Sequence, residues 1–179
     1  MSRIQPLSIN EASEEIIAAY ELHKLSYNAR ITNMKATLAH SQVAFEVYME
    51  WYRLYEQIKN ITGDRMAYLF AYSVSKSSNC PLCTTFFRKI IIDNGEKPDD
   101  LVLSEQEQLL LDFGSEISAK QGKITDELFE QISKLYTTKQ LVELIAFAGQ
   151  MIATNVFSNV IDTDIDEYLF SYLPFNKQQ

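Results

Sequence analysis

Residues 73–92 read SVSKSSNCPLCTTFFRKIII, and this stretch decides the fold. A helical pattern enters it, a short polar break interrupts it, and a second helical pattern leaves. Upstream, Arg65 to Lys76 carries Met66, Leu69, Phe70, Ser73 and Val74. That segment is apolar nearly all round, as expected of a helix at the centre of a bundle. Pro81 suits the first position of the next helix, where a missing N–H costs nothing. That helix runs to Ile92 and meets a left-handed stop at Asp93-Asn94-Gly95.

Outward from this pair the same punctuation recurs. Ser41 caps a helix over Gln42–Asn60, where Val43, Val47, Trp51, Leu54 and Ile58 keep helical spacing. Phe45, Tyr48, Tyr52 and Tyr55 widen its apolar face enough to meet two partners. Ser104-Glu105-Gln106-Glu107 is a capping box, opening a helix to about Lys120 that ends at Gly122. Thr125 caps a short helix to Leu135, and Leu141–Val160 follows with a 3.6-residue period. At the N-terminal side, Ser13–Leu22 is a short amphipathic helix with acids in its first turn. Leu25–Asn33 reads as a loop, and Met34–Leu38 as a helical turn breaking near His40-Ser41. After Asp162 a short helix over Asp166–Tyr172 stops at Pro174.

Composition agrees. The 179 residues include only 5 Gly and 4 Pro, where ordinary usage would give roughly 21 together. An all-β sandwich needs a turn signal every ~8–12 residues, and no Gly-rich phosphate loop occurs. The expectation is an all-α, single-domain helical bundle of six to eight helices. The net charge is −8 and the pI about 4.8. Nucleic acid needs a basic footprint that is missing here, and a polybasic membrane patch is disfavoured for the same reason. No apolar run approaches the ~20 residues that span a bilayer. The opening Met1–Glu15 has no apolar core of a signal peptide. A cytoplasmic, reducing setting is expected.

Cys80 and Cys83 are the two cysteines, spaced i, i+3 at a helix start. A zinc site needs four soft or imidazole ligands, and only His23 and His40 remain to supply them, without ligand spacing. No metal and no tightly bound cofactor are expected. Two readings stay open: small apolar-tolerant core residues, or a redox pair. The physical case for redox rests on placement. With Cys80 as N-cap, the unpaired N–H groups of the first turn and the helix dipole stabilise a thiolate. Cys80 should be the more exposed sulfur and meet a thiol partner, with Cys83 as nucleophile or resolver.

The flanks of this pair resemble the carboxymuconolactone decarboxylase superfamily, in its alkylhydroperoxidase D-like branch. Leu38-Ala39-His40-Ser41 with Phe45-Glu46-Val47-Tyr48 resembles the family's early helix start. Ser73-Val74-Ser75 through Asn79-Cys80-Pro81-Leu82-Cys83 resembles its cysteine core. Leu103 to Leu111 and Leu141 to Asn159 resemble its later helices. The resemblance covers roughly residues 35–160. It divides the chain into an N-terminal helical extension (1–33), an alkylhydroperoxidase D-like core (34–160) and a C-terminal tail (161–179). It implies an all-α homo-oligomer (dimer, trimer or hexamer) acting as a thiol–disulfide oxidoreductase or alkyl hydroperoxide reductase-like antioxidant protein. Cys80 and Cys83 are then the catalytic residues. Electrons come from a lipoyl-type or small-thiol donor, and a peroxiredoxin or lipoyl-protein is a possible partner.

Two family positions depart from the pattern. The relay Glu and His of the redox members are replaced by Tyr68 and Phe87. A phenol is a poor base at a reference pKa near 10, and Phe87 moves no proton. Disulfide exchange is therefore favoured over peroxide turnover, with Glu46 or His40 left as groups to reach the site in three dimensions. The alternative is a degenerate, non-enzymatic structural or regulatory member. A lactone decarboxylase would leave the cysteine pair unexplained. His40 is expected to be structural, His23 solvated, and Trp51 with Tyr48, Tyr52 and Tyr55 to be helix packing. Asp93, Asp99 and Asp100 are expected in a solvated turn, and Asn155 and Asn159 to bond to backbone or to each other across an interface.

Overall fold

Helix follows helix through residues 1–174, which the computed structural model describes. They are α1 (Glu14–Tyr27), α2 (Asn33–Leu38), α3 (Gln42–Glu50), α4 (Tyr52–Thr62) and α5 (Asp64–Ser77). Then come α6 (Pro81–Asp93), α7 (Glu105–Ala119), α8 (Asp126–Ser133) and α9 (Thr138–Val160). A 3₁₀ helix, Glu167–Tyr172, closes the described residues, among which there is no strand. Most stops and caps fall where the sequence places them; α1 instead runs through Leu25–Tyr27, read as loop, and stops at the left-handed Asn28. Ser41, Ser104 and Thr125 accept the N–H groups of Ala44, Glu107 and Leu128, each cap contributing about 1 kcal/mol. Gly63, Gly95 and Gly122 all have φ near +80°, a region closed to most side chains.

The helix count exceeds the expected six to eight because the segment read as one helix over 42–60 divides at Trp51. There Leu54 N–H donates to the Trp51 carbonyl at 3.0 Å, a tighter i→i+3 turn. The division serves packing. Phe45 and Met49 on α3 join α1 and α2 in one apolar cluster, with Ile16, Tyr20 and Leu38. Ile58 on α4 belongs instead to the main core of α5, α6, α7 and α9. The broad aromatic face thus meets two partners, as its sequence suggested.

At the centre stands α5, with Met66 to Ser75 buried without interruption. It crosses α7 closely because Gly114 has no side chain. A Cβ there would lie 2.6 Å from Phe70 Cε2 and 2.7 Å from Ser73 Oγ. One helix, Thr138–Val160, is long and apolar enough to cross a membrane by length and composition, against the expectation that no such run exists. Its Leu141, Leu144, Phe147, Ala148 and Met151 are packed into the main core.

The segment after α9 folds back over the start of α6. Asp164 Oδ2 accepts the Ser2 N–H at 2.8 Å, and Ser2 Oγ accepts the Asp164 N–H at 2.7 Å. Asp166 Oδ1 accepts the Asn33 N–H at 2.9 Å and so caps α2. The buried Arg88 donates to the Tyr172 carbonyl and to the exposed Asp99, both at 3.2 Å. Asp99 in the polar turn is thereby an ion-pair partner and not simply solvated.

The Gly114→Ala variant should lose about 1–3 kcal/mol by overpacking, despite the gain of about 1 kcal/mol that alanine brings to a helix. Its Tm should fall by about 2–4 °C per kcal/mol at this chain length. An unchanged or raised Tm in a thermal melt would contradict the close α5–α7 crossing.

Candidate active site

Cys80 is the N-cap of α6 and Pro81 its first residue. The Cys80 sulfur accepts the backbone N–H of Cys83 at 3.3 Å. It is a sulfur version of the oxygen cap that begins most helices. The loop before it is bolted to α9. Asn159 Nδ2 donates to the Ser78 carbonyl at 3.2 Å, and the fully buried Asn155 lies 3.4 Å from Ser75 Oγ. Asn159 thus bonds to backbone, one of its two expected roles, and Asn155 to a side chain of α5. On the other side, Cys83 Sγ lies 4.0 Å from Ser158 Oγ of α9.

Both sulfurs are free thiols and both are buried, at 1% exposure for Cys80 and 7% for Cys83. This corrects the expectation that Cys80 would be the more exposed. The reason is the returning tail: Leu169 packs with Cys80, Leu82 and Cys83 in a small cluster, with Ile165 and Tyr168 beside it.

The two thiols differ in environment. Hydrogen bonding from the Cys83 thiol, with the first-turn N–H groups of Cys83 and Leu82, lowers the Cys80 pKa below the ordinary thiol value despite burial. The same contact, together with burial, raises the Cys83 thiol well above it. Cys80 is therefore the sulfur that holds negative charge, and Cys83 the one that holds the proton.

They also face different spaces. Cys80 lines a broad cleft of about 1120 Å³ with mixed walls, where Asn33, Asp162, Asp164 and Glu167 stand beside Leu82, Ile165 and Phe170. Cys83 lines an apolar cavity of about 200 Å³. Its walls are aromatic: Tyr48, Tyr52, Tyr55, Phe86, Phe87 and Phe147. The tyrosines expected to be simple helix packing are thus also cavity walls. Trp51 packs against Tyr48 at 4.3 Å between ring centres.

Polar groups enter this cavity at few points. Gln150 and Asp166 line it, and Gln150 Oε1 and Asp166 Oδ2 are buried without a hydrogen-bond partner among the described residues. Lys35, 5% exposed, lines it too. Its ammonium lies 2.9 Å from His23 Nε2, 2.8 Å from the Arg30 carbonyl and 5.0 Å from the Tyr52 ring centre. His23 is therefore buried, at 3% exposure, and not solvated as its sequence context suggested. It packs edge-on against Phe45 and Tyr52. Burial and the Lys35 charge push its pKa down to about 4, so at neutral pH the ring is uncharged and accepts from Lys35. Burial lowers Lys35 to about 8, against the pull of Asp166.

The expected relay substitutes stand elsewhere. Tyr68 donates to Glu96 at 3.0 Å, inside a network with Arg65 and Glu107. His40 is exposed and bonds to the Gln5 carbonyl, and Glu46 accepts from Gln42. None of the three lines either space beside the cysteines. Lys35 was missed because a lone lysine in a short helical turn carries no signal; only the fold buries it.

Comparison with solved structures finds the fold. The apo debrominase Bmp8 superposes with a TM-score of 0.78 at 14% identity, covering 94% of this chain and 95% of that one. A cysteine-to-alanine variant of the same debrominase, in complex with 2,3,4-tribromopyrrole, gives the same TM-score and identity over 94% of each chain. An uncharacterized peroxidase-related protein from Silicibacter sp. TM1040 gives 0.68 at 12% identity over 88% of each. No family model matches the chain, and no curated protein does. The likeness is one of fold: the all-α, alkylhydroperoxidase D-like architecture that the cysteine flanks implied.

His23 is held neutral in the fold, with a pKa below its unfolded value near 6.5. Its contribution is complete above that value and is lost as pH falls from about 6.5 to 4. Relative to the His23→Gln variant, which keeps an acceptor for Lys35, the native protein should lose up to about 3 kcal/mol across that window. Urea unfolding at several pH values measures the difference; a pH-independent difference would contradict the buried neutral imidazole.

Proposed function

We propose that the chain is a dithiol reductase of small apolar molecules, an oxidoreductase in which Cys80 and Cys83 cycle between dithiol and disulfide. One observation carries this reading. The two sulfurs of one helix turn line different spaces, Cys83 an aromatic cavity and Cys80 a broader cleft with acidic side chains among its walls. A substrate R–Y with a bond that a thiolate cleaves binds in the aromatic cavity. Either a peroxide O–O bond or a ring carbon–halogen bond fits that description. Cys83 passes its proton to the Cys80 thiolate, with which its thiol shares a hydrogen bond, and as thiolate removes Y; the bonding electrons stay on R, and R takes that proton back from Cys80 to become R–H. Cys80 then attacks the Cys83 sulfur, Y leaves as an anion, and the disulfide forms. The net change is R–Y plus the thiol–thiolate pair giving R–H, disulfide and Y⁻.

The fold neighbours support this choice of chemistry: one is a debrominase solved with a flat brominated ring, the other is peroxidase-related. The cavity suits a molecule of that size and apolarity. A small-thiol or lipoyl-type donor reopens the disulfide from the Cys80 cleft, in a cytoplasmic, reducing setting. A peroxiredoxin is a further partner for that exchange. Along α9 the exposed Val142, Ile145, Val156 and Val160 form an apolar stripe, which supports a homo-oligomer, whether dimer, trimer or hexamer. A second reading, a non-enzymatic structural member of the fold, draws on the near-complete burial of both sulfurs.

Reduced protein mixed with cumene hydroperoxide or 2,3,4-tribromopyrrole should lose both thiols to an internal disulfide, seen by mass spectrometry. At least one of the two should be turned over when dithiothreitol is present. Cys83→Ser and Cys80→Ser should each abolish turnover. Failure of every electrophile to oxidise the pair would favour the structural reading.

A further inference from the structure

Cys83 is the attacking sulfur in the reading above, and its surroundings disfavour an anion. It is buried against aromatic walls, where an unsolvated charge is costly. Its own N–H, one of the first-turn donors of α6, is already given to Cys80 Sγ. A thiolate at Cys83 therefore needs a donor from another element.

One side chain is placed to supply it. Ser158 on α9 is buried, and its Oγ lies 4.0 Å from Cys83 Sγ. It stands with Asn155 and Asn159 on the helix face that ties α9 to Ser75 and the Ser78 carbonyl. The Ser158 carbonyl accepts the Thr163 N–H at 3.0 Å and the Thr163 hydroxyl at 3.3 Å, which fixes the helix end here. Helical Thr37, Thr62, Thr85 and Thr154 each donate their hydroxyl to the carbonyl four residues back, a common outlet for such a group. Ser158 makes no such bond among the described residues, so its hydrogen is free. Ser158 also lines both spaces, the Cys80 cleft and the Cys83 cavity.

We propose that the Ser158 hydroxyl is the donor that holds the Cys83 sulfur as an anion while it attacks the substrate. The proposal rests on the reading of Cys83 as the attacking sulfur. In the resting pair the contact is long, and the Cys83 thiol is its donor. When the Cys83 proton passes to Cys80, the direction reverses and the Ser158 O–H donates to the thiolate. A hydrogen bond to a charged acceptor is shorter and roughly twice as strong as a neutral one, so the contact tightens on ionisation. Ser158 itself neither gains nor loses a proton, and its hydrogen is released when the sulfur takes Y. Hydrogen bonding from Ser158 favours the anionic form at both sulfurs, in keeping with its place on both spaces.

The other polar groups around Cys83 are engaged elsewhere. Thr85 on α6 gives its hydroxyl to the Pro81 carbonyl at 2.7 Å. Lys35 on α2 is held by His23 and the Arg30 carbonyl. Tyr48 on α3, Tyr52 and Tyr55 on α4, and Asp166 and Tyr168 in the tail line the same cavity. None of them makes a hydrogen bond to Cys83 Sγ among the described residues. The Cys80 thiol does contact Cys83, but that contact favours charge on Cys80 and not on Cys83.

Ser158→Ala removes the hydroxyl and adds no bulk, so it leaves a reagent's access to Cys83 no narrower. The test follows Cys83 alkylation by iodoacetamide across pH, resolved from Cys80 by mass spectrometry. In Ser158→Ala the Cys83 rate near neutral pH should fall about tenfold, with its rise moved to higher pH. Cys80, whose anion the first-turn N–H groups also hold, should be slowed less. Ser158→Thr keeps a hydroxyl and should restore most of the native profile. Circular dichroism establishes that both variants fold. An unchanged Cys83 profile in folded Ser158→Ala would overturn the role, and so would equal slowing in the Ala and Thr variants. Single-turnover oxidation by cumene hydroperoxide and 2,3,4-tribromopyrrole separates this role from the reductase reading. If alkylation responds as expected but neither compound oxidises the native pair, the reductase reading fails and the donor role stands. If the native pair is oxidised and Ser158→Ala is oxidised as fast, the donor role fails and the reductase reading stands.

Discussion

A sulfur in the place of a cap oxygen organises this site. Because Cys80 Sγ accepts the Cys83 N–H, the first turn of α6 is closed by the same atom that the turn stabilises as a thiolate. Everything around it follows from holding that turn in one place. Asn159 and Asn155 tie the preceding loop to α9, and Arg88 ties the tail to α6. Asp166 ties the same tail to the start of α2. The result is a cysteine pair fixed by long-range contacts, with the segment after α9 as its cover.

That cover explains a paradox of exposure. A cysteine pair buried to a few per cent looks inert, yet the burial divides its surroundings. The tail leaves a broad cleft of mixed, partly acidic walls on the Cys80 side and a nearly wholly apolar cavity on the Cys83 side. Under the proposed chemistry, a charged donor and an apolar oxidant would not compete for one entrance. The aromatic walls do two jobs at once, supporting α4 against α9 through Tyr55 and Phe147 and bounding the cavity.

Much of the fold was legible in the chain because its signals are local. Ser104 and Glu107 form their capping box within four residues, Pro81 starts a helix wherever it stands at one, and Gly95 ends one. The cysteine pair was legible for the same reason. What escaped was decided at a distance. Nothing local in Gln42–Asn60 announces a break at Trp51; two separate cores impose it. His23 sits among Glu21, Leu22 and Lys24, and reads as a surface residue until α3 and α4 cover it with Phe45 and Tyr52. Lys35 is an ordinary lysine until His23 and the Arg30 carbonyl draw it inside. The exposure of Cys80 was misjudged because the tail that covers it lies some ninety residues away in sequence.

The central claim is that the two sulfurs serve two different spaces. Competitive modification with a charged thiol-specific reagent and an uncharged aromatic one of equal intrinsic reactivity tests it most directly, with the modified cysteine located by mass spectrometry. The ratio of Cys83 to Cys80 modification should rise sharply on passing from the charged reagent to the apolar one. The same ratio for both reagents would mean that the thiols share one entrance, and would contradict the account.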